Sequence, residues 1–76
     1  MMTTVKQIVI DAAKVQDYER VIRWSKLAMW APDGVVTTED NQFILTANDA
    51  FGNEVTLTAH TLANLTRKAM RQFSCS

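Results

Sequence analysis

The stretch that decides the fold class is Val35–Thr58, VVTTEDNQFILTANDAFGNEVTLT. It is rich in Thr, Val, Ile and Phe, which favour strands, and turn-forming residues interrupt it twice, at Asp40-Asn41 and at 48–53. These interruptions divide the stretch into three strands, which we place at Val35–Thr38, Gln42–Ala47 and Glu54–Thr58. Short strands joined by such turns predict a three-stranded antiparallel meander.

Alternation along these strands predicts which face of the sheet is buried, because every second side chain of a strand points to the same face. One set is entirely apolar, and we expect it to face the core: Phe43, Leu45, Ala47, Val55 and Leu57. The other set is mostly threonine, and we expect it to face away from the core: Ile44, Thr46, Thr56 and Thr58.

The clearest helical pattern follows the strands. Apolar residues recur at helical spacing from Ala59 to Phe73. The opposite side of this helix carries His60, Asn64, Arg67, Lys68 and Arg71. The pattern predicts an amphipathic helix with Thr58 as its N-cap, packed on one face of the sheet. Its cations lie toward the C-terminal end, where the helix dipole favours them.

The N-terminal part also favours helix, because residues 4–31 contain neither Gly nor Pro, and Thr4 followed by Gln7 fits a capping box. Its apolar stripe changes direction, however. The first set is Val5, Ile8, Val9, Ala12 and Val15, and the second, more than a third of a turn away, is Tyr18, Val21, Ile22, Ala28 and Met29. One straight helix cannot bury both sets in one core, so we predict a break near Gln16-Asp17.

Asp17 then becomes the N-cap of a second helix that runs to about Trp30, and Pro32-Asp33-Gly34 ends the helical part. A strand at residues 5–10 is an alternative to the first helix, because four of these six residues are β-branched. Both versions give one small α+β domain over residues 1–76, with an N-terminal helix or helix pair, the meander and the C-terminal helix.

Composition limits the chemistry. With 47% hydrophobic and 21% charged residues, the chain is typical of globular proteins. Cys75 is the only cysteine, so no internal disulfide can form. Pairing it with His60 does not define a nucleophilic site without an orienting third group. We find no catalytic, metal-binding or cofactor motif, no bilayer-spanning run and no signal peptide, and we expect a cytoplasmic protein.

Charge is segregated along the chain although the formal net charge is zero. Every Lys and Arg lies at or before Lys26 or at or after Arg67, and the middle holds acids alone: Asp33, Glu39, Asp40, Asp49 and Glu54. These acids could form a surface that docks on a basic partner, or they could simply serve as turn residues.

Two other groups of residues are candidate binding sites. Trp24, Leu27 and Trp30 share the side of the second helix that carries Arg20 and Arg23. This side either packs in the core or, with Asp33, Glu39 and Asp40, forms a protein interface. The basic side of the C-terminal helix is either solvated or follows a nucleic-acid backbone.

These observations favour a non-enzymatic protein-binding module, an adaptor or an inhibitor of a larger macromolecular complex, of the kind that phages and mobile elements encode. The partner is then another protein, with no cofactor and no membrane involved. A nucleic-acid-binding domain using His60, Asn64, Arg67, Lys68 and Arg71 is the first alternative. A structural homo-oligomer, such as a homodimer, is the second.

Overall fold

The computed structural model describes residues 3–73. Within them the elements are β1 (Thr3–Thr4), α1 (Val5–Lys14), α2 (Tyr18–Ala28), β2 (Val35–Glu39), β3 (Gln42–Asn48), β4 (Glu54–Ala59) and α3 (Leu62–Phe73). The strands form one antiparallel sheet in the order β1-β2-β3-β4. The α+β class is therefore confirmed, and the expected three strands become four because the two-residue strand β1 pairs with β2.

The helix pair α1–α2 is confirmed, and the alternative of a strand at residues 5–10 is wrong. Thr4 is the N-cap of α1, and its hydroxyl accepts a hydrogen bond from the backbone N–H of Gln7 at 3.3 Å. The Gln7 side chain donates to Asp11 at 2.9 Å, so the return bond of the capping box is replaced by a pair along the helix.

The break between α1 and α2 lies where the change of stripe places it. Gln16 has a φ of 59°, a left-handed conformation that a helix cannot continue through. Asp17 is the N-cap of α2, and its carboxylate accepts from the backbone N–H of Arg20 at 3.3 Å. The chain reverses here, so that α1 and α2 pack side by side.

Turn chemistry sets the register of the sheet. Asp40 and Asn41, with φ of 52° and 63°, form a two-residue turn, and Glu39 pairs with Gln42 on either side of it. In the next loop the Asp49 carboxylate accepts from the backbone N–H groups of Phe51 and Asn53, both at 2.9 Å. Both turns are thus held by residues that tolerate left-handed backbone or bond to it.

The core lies between the helices and one face of the sheet. Four side chains are the largest fully buried ones, and they come from four different elements: Val5, Leu27, Leu45 and Leu65. Phe43, Ala47 and Leu57 pack against this cluster, as alternation predicts. Thr56 and Thr58, on the opposite face, are exposed.

The predicted N-cap of the last helix, Thr58, is three residues early. Strand β4 continues through Ala59, which pairs with Phe43 and is buried in the core. Thr58 is therefore extended, and Thr61 takes the capping role, accepting from the backbone N–H of Asn64 at 3.2 Å. Pairing with β3 extends the strand beyond the point where the apolar helical pattern begins.

Removing a side chain from each face of β3 tests the assignment of the sheet faces. We expect Leu45→Ala to lower the free energy of unfolding by about 2–5 kcal/mol, because Leu45 is fully buried and its truncation would leave a cavity. Ile44→Ala, one residue away on the opposite face, should cost about 1 kcal/mol or less. Urea denaturation of the two variants measures both values, and equal losses would contradict the assignment.

Candidate functional site

Helix α2 places the residues of the expected interface in the core. Leu27 is fully buried, and Trp24 is 9% exposed. The Trp24 ring meets the Phe43 ring edge-on, with centroids 6.0 Å apart and an interplanar angle of 75°. Trp30 is half-buried and packs against the same cluster. Core packing, the alternative interpretation, therefore describes Trp24 and Leu27, which leaves neither of them available at the surface.

The arginines beside these residues explain how the apolar side faces inward. Arg20 lines two shallow surface grooves together with Trp24 and Phe43 and is itself exposed, so its charge can stay in water beside the aromatic groups. Arg23 forms an ion pair with Glu19 one turn earlier. Long basic side chains can thus border the buried side of a helix. Their presence on that side does not show that the side is exposed to solvent.

The other side of α2 is exposed and apolar. Tyr18, Ile22 and Met29 are 65%, 60% and 73% exposed, and they lie along one line of the helix at positions i, i+4 and i+11. We call them the α2 apolar row. Helical spacing groups them with Val21 and Ala28 in the second apolar stripe. Only Val21 and Ala28, at the edge of this stripe, are half-buried, and the rest of the stripe is exposed.

The apolar row is part of a wider concentration. Among residues 3–73, five of the seven large exposed apolar side chains belong to the α1–α2 pair: Ile10, Val15, Tyr18, Ile22 and Met29. The remaining two, Phe51 and Met70, lie in the β3–β4 loop and on α3. Three of these five, Tyr18, Ile22 and Met29, belong to the second apolar stripe of the sequence, whose spacing does not show whether it faces the core.

The acids of the central segment are not brought together. Glu39 and Asp40 lie at the β2–β3 turn, at one end of the sheet, whereas Asp49 and Glu54 lie at the other end. Asp33 forms an exposed ion pair with Lys6, with Nζ and Oδ1 3.1 Å apart. Asp33 precedes β2, whereas Glu39 and Asp40 lie at its end, so these three expected interface acids do not lie together.

The basic side of α3 is brought together. Its five members line one shallow groove of about 260 Å³ beside Ala59, and we call them the basic row: His60, Asn64, Arg67, Lys68 and Arg71. The Lys68 ammonium donates to the backbone carbonyl of Thr58 at 2.5 Å. In the part of the chain that the structure describes, the ion pairs are Lys6–Asp33 and Arg23–Glu19, so no carboxylate neutralises the row.

Two further features bear on the type of site. Nowhere in residues 3–73 do three His, Cys, Asp or Glu side chains approach closely enough to hold a metal ion. None of the helices in this range is both long and apolar enough to cross a bilayer. Cys75, and with it the suggested pair with His60, lies outside the described residues.

Comparison of the chain with protein-family models, with curated proteins and with solved structures finds no match. The function is therefore argued from the two surfaces of this chain, the α2 apolar row and the basic row.

The orientation of α2 can be tested by truncating one residue on each of its sides. We expect Leu27→Ala to cost about 2–5 kcal/mol of unfolding free energy, because it opens a cavity among the core side chains. Ile22→Ala should change stability by about 0.5 kcal/mol or less, since Ile22 is largely exposed. Thermal or urea unfolding gives the comparison, and a larger loss for Ile22→Ala would reverse the orientation.

Proposed function

We propose that this protein acts by binding another protein, and that the α2 apolar row is the contact surface. The single observation behind the proposal is the exposure of Tyr18, Ile22 and Met29 along one line of a helix. Exposed apolar side chains are normal when they are scattered singly, whereas several on one side of a helix indicate an interaction surface. An adaptor or an inhibitor of a larger complex would use such a surface.

The energetics agree with this assignment. Burying a side chain of the size of Ile or Met contributes roughly 1.5–3 kcal/mol. A row of three such residues, with a tyrosine able to add a hydrogen bond through its hydroxyl, supplies the kind of anchor found at the centre of protein interfaces. Tyr18 and Ile22 lie on α2 and Met29 is its C-cap, so the backbone that carries the row is already ordered before a partner binds.

Affinity capture with variants of matched exposure tests the proposal. The wild-type protein and Ile22→Lys are each used as bait in a lysate of the source organism, treated with nuclease. Phe51→Lys is the control, because Phe51 is even more exposed, at 87%, and lies away from α2. We expect a protein to be retained by the wild type and by Phe51→Lys and to be lost with Ile22→Lys, since a charge replaces a buried apolar contact.

Circular dichroism of the three proteins shows whether the fold is kept, which the exposure of both positions predicts. Retention of the same proteins by Ile22→Lys would contradict a role for the apolar row. Proteins that the wild type retains from an untreated lysate but not from the nuclease-treated one would favour the nucleic-acid alternative.

A further inference from the structure

A second surface with different chemistry lies at the free edge of the sheet. Strand β4 is the last strand of the order β1-β2-β3-β4, so one of its sides has no neighbouring strand among residues 3–73. The basic row of α3 borders the C-terminal part of this strand, because Ala59 and the row line the same groove. An unpaired strand edge offers backbone donors and acceptors to an extended chain.

The hydrogen-bond pattern shows which backbone groups of β4 are available. In the loop before β4, the backbone N–H of Asp49 donates to the carbonyl of Asn53 at 2.9 Å, as in a hydrogen-bonded pair, while the N–H of Asn53 donates to the Asp49 carboxylate. Hydrogen-bonded and non-bonded pairs alternate along an antiparallel ladder. The following pairs are Asn48–Glu54, non-bonded, and Ala47–Val55, bonded. Val55 and Leu57 therefore direct their backbone groups to β3, and Glu54, Thr56 and Thr58 direct theirs outward.

The contact made by Lys68 supports this pattern independently. Its ammonium donates to the carbonyl of Thr58, one of the groups assigned to the outer edge. Lysine at an edge is a common means of keeping strands from pairing with unrelated chains. Here it occupies one acceptor, while the outward groups of Thr56 and Glu54 have no partner within residues 3–73.

We propose that the β4 edge and the basic row together bind an extended acidic segment of a partner protein as an added strand. The backbone of that segment would pair with Glu54, Thr56 and Thr58. Its alternate side chains would point toward the helix side of the sheet, where Val55 and Leu57 also point. The side chains of the segment on this side would meet the basic row, so carboxylates at these positions would complement Arg67, Lys68 and Arg71.

Lys68 changes partner in this arrangement. An N–H of the added strand takes over the carbonyl of Thr58, and the released ammonium pairs with a carboxylate of the segment. In the free protein Lys68 therefore covers the Thr58 carbonyl, and a ligand with acidic side chains would draw Lys68 away from it. A segment without acidic side chains would displace Lys68 with no compensating interaction.

A second copy of the chain fits this edge less well. Antiparallel pairing of two β4 strands about Thr56 would place both α3 helices on the same side of the joined sheet. Their basic rows would then face each other across the two-fold axis, and residues 62–73 contain no Asp or Glu to offset the repulsion. The charge of the row therefore favours an acidic partner over a second copy.

A nucleic acid matches the row but not the edge. A phosphodiester backbone offers acceptors for Arg67 and Arg71, yet it has no regular series of donors for the outward carbonyls of β4. An extended peptide supplies donors and acceptors at the same repeat as the edge, about 6.8 Å for every two residues. The edge pattern therefore decides between these two partners in favour of a peptide.

The test is a titration of the isotope-labelled protein with capped seven-residue peptides, followed by the amide signals in NMR spectra. The first peptide alternates Thr and Glu, and the second has Lys in place of each Glu. The third is the acidic peptide with N-methyl groups on the amides that would face β4. We expect the acidic peptide to shift the amide signals of Glu54, Thr56 and Thr58. The other two peptides should bind at least about tenfold more weakly.

Variants of the protein separate the contributions of edge and row. Arg67→Gln with Arg71→Gln should weaken binding of the acidic peptide about tenfold or more. Lys14→Gln with Lys26→Gln, which removes the same charge from exposed positions of α1 and α2, should leave it nearly unchanged. Thr56→Pro should fold, since the lost N–H faces outward, and should lose binding. Leu57→Pro should unfold, because its N–H bonds to β3.

The outcomes that overturn the proposal are distinct from those that overturn the role of α2. Absence of binding by the acidic peptide at millimolar concentration, or equal binding of the N-methylated peptide, rules out an added strand. A single-stranded oligonucleotide that shifts the same signals more strongly favours nucleic acid. A dimer in sedimentation that Thr56→Pro abolishes favours a second copy. Ile22→Lys should bind the acidic peptide like the wild type, so the two proposals fail separately.

Discussion

The fold depends on one contact region, in which the fully buried side chains Val5, Leu27, Leu45 and Leu65 come together from α1, α2, β3 and α3. A chain of 76 residues has only one such core, so its helices cover a single face of the sheet. The outer sides of the helices, the second sheet face and the strand edges must then meet water or a partner. Because the apolar residues of the chain exceed what this core takes up, the excess appears on the surface, above all on α1 and α2.

The sheet and the last helix could be predicted from the sequence because each has one unambiguous periodicity. Alternation assigns Leu45 to the core and Thr56 to the opposite face, and the spacing of Leu65 and Ala69 identifies the buried side of α3. The basic row follows from the same spacing, and the structure collects all five of its members along one groove. Strand β1 could not be predicted, since two residues carry no period, and its pairing depends on where α1 places Thr3 and Thr4.

The orientation of α2 could not be predicted because the helix has two apolar stripes that overlap at its sides. Which stripe is buried depends on what the neighbouring elements offer: Phe43 provides an aromatic edge for Trp24, whereas Ile22 stays 60% exposed. Charged neighbours give a misleading signal in a small domain, since the exposed Arg20 lines a groove beside the buried Trp24. The hydrogen-bond pattern of the β4 edge is likewise hidden in the sequence, because it is set by the bond between Asp49 and Asn53 in the preceding loop.

A net charge of zero is weak evidence against charge-driven binding in this protein. The molecule measures 35 × 28 × 21 Å, whereas charges in water at physiological ionic strength are screened over about 8 Å. The basic row has no acid on its own helix, and none of the ion pairs among residues 3–73 involves it, so its charge is not offset by direct pairing. The α2 apolar row and the basic row are also chemically distinct, one without charge and the other almost without apolar groups. A substitution in one of the two proposed surfaces therefore leaves the chemistry of the other unchanged, which is why the two proposals can be tested separately.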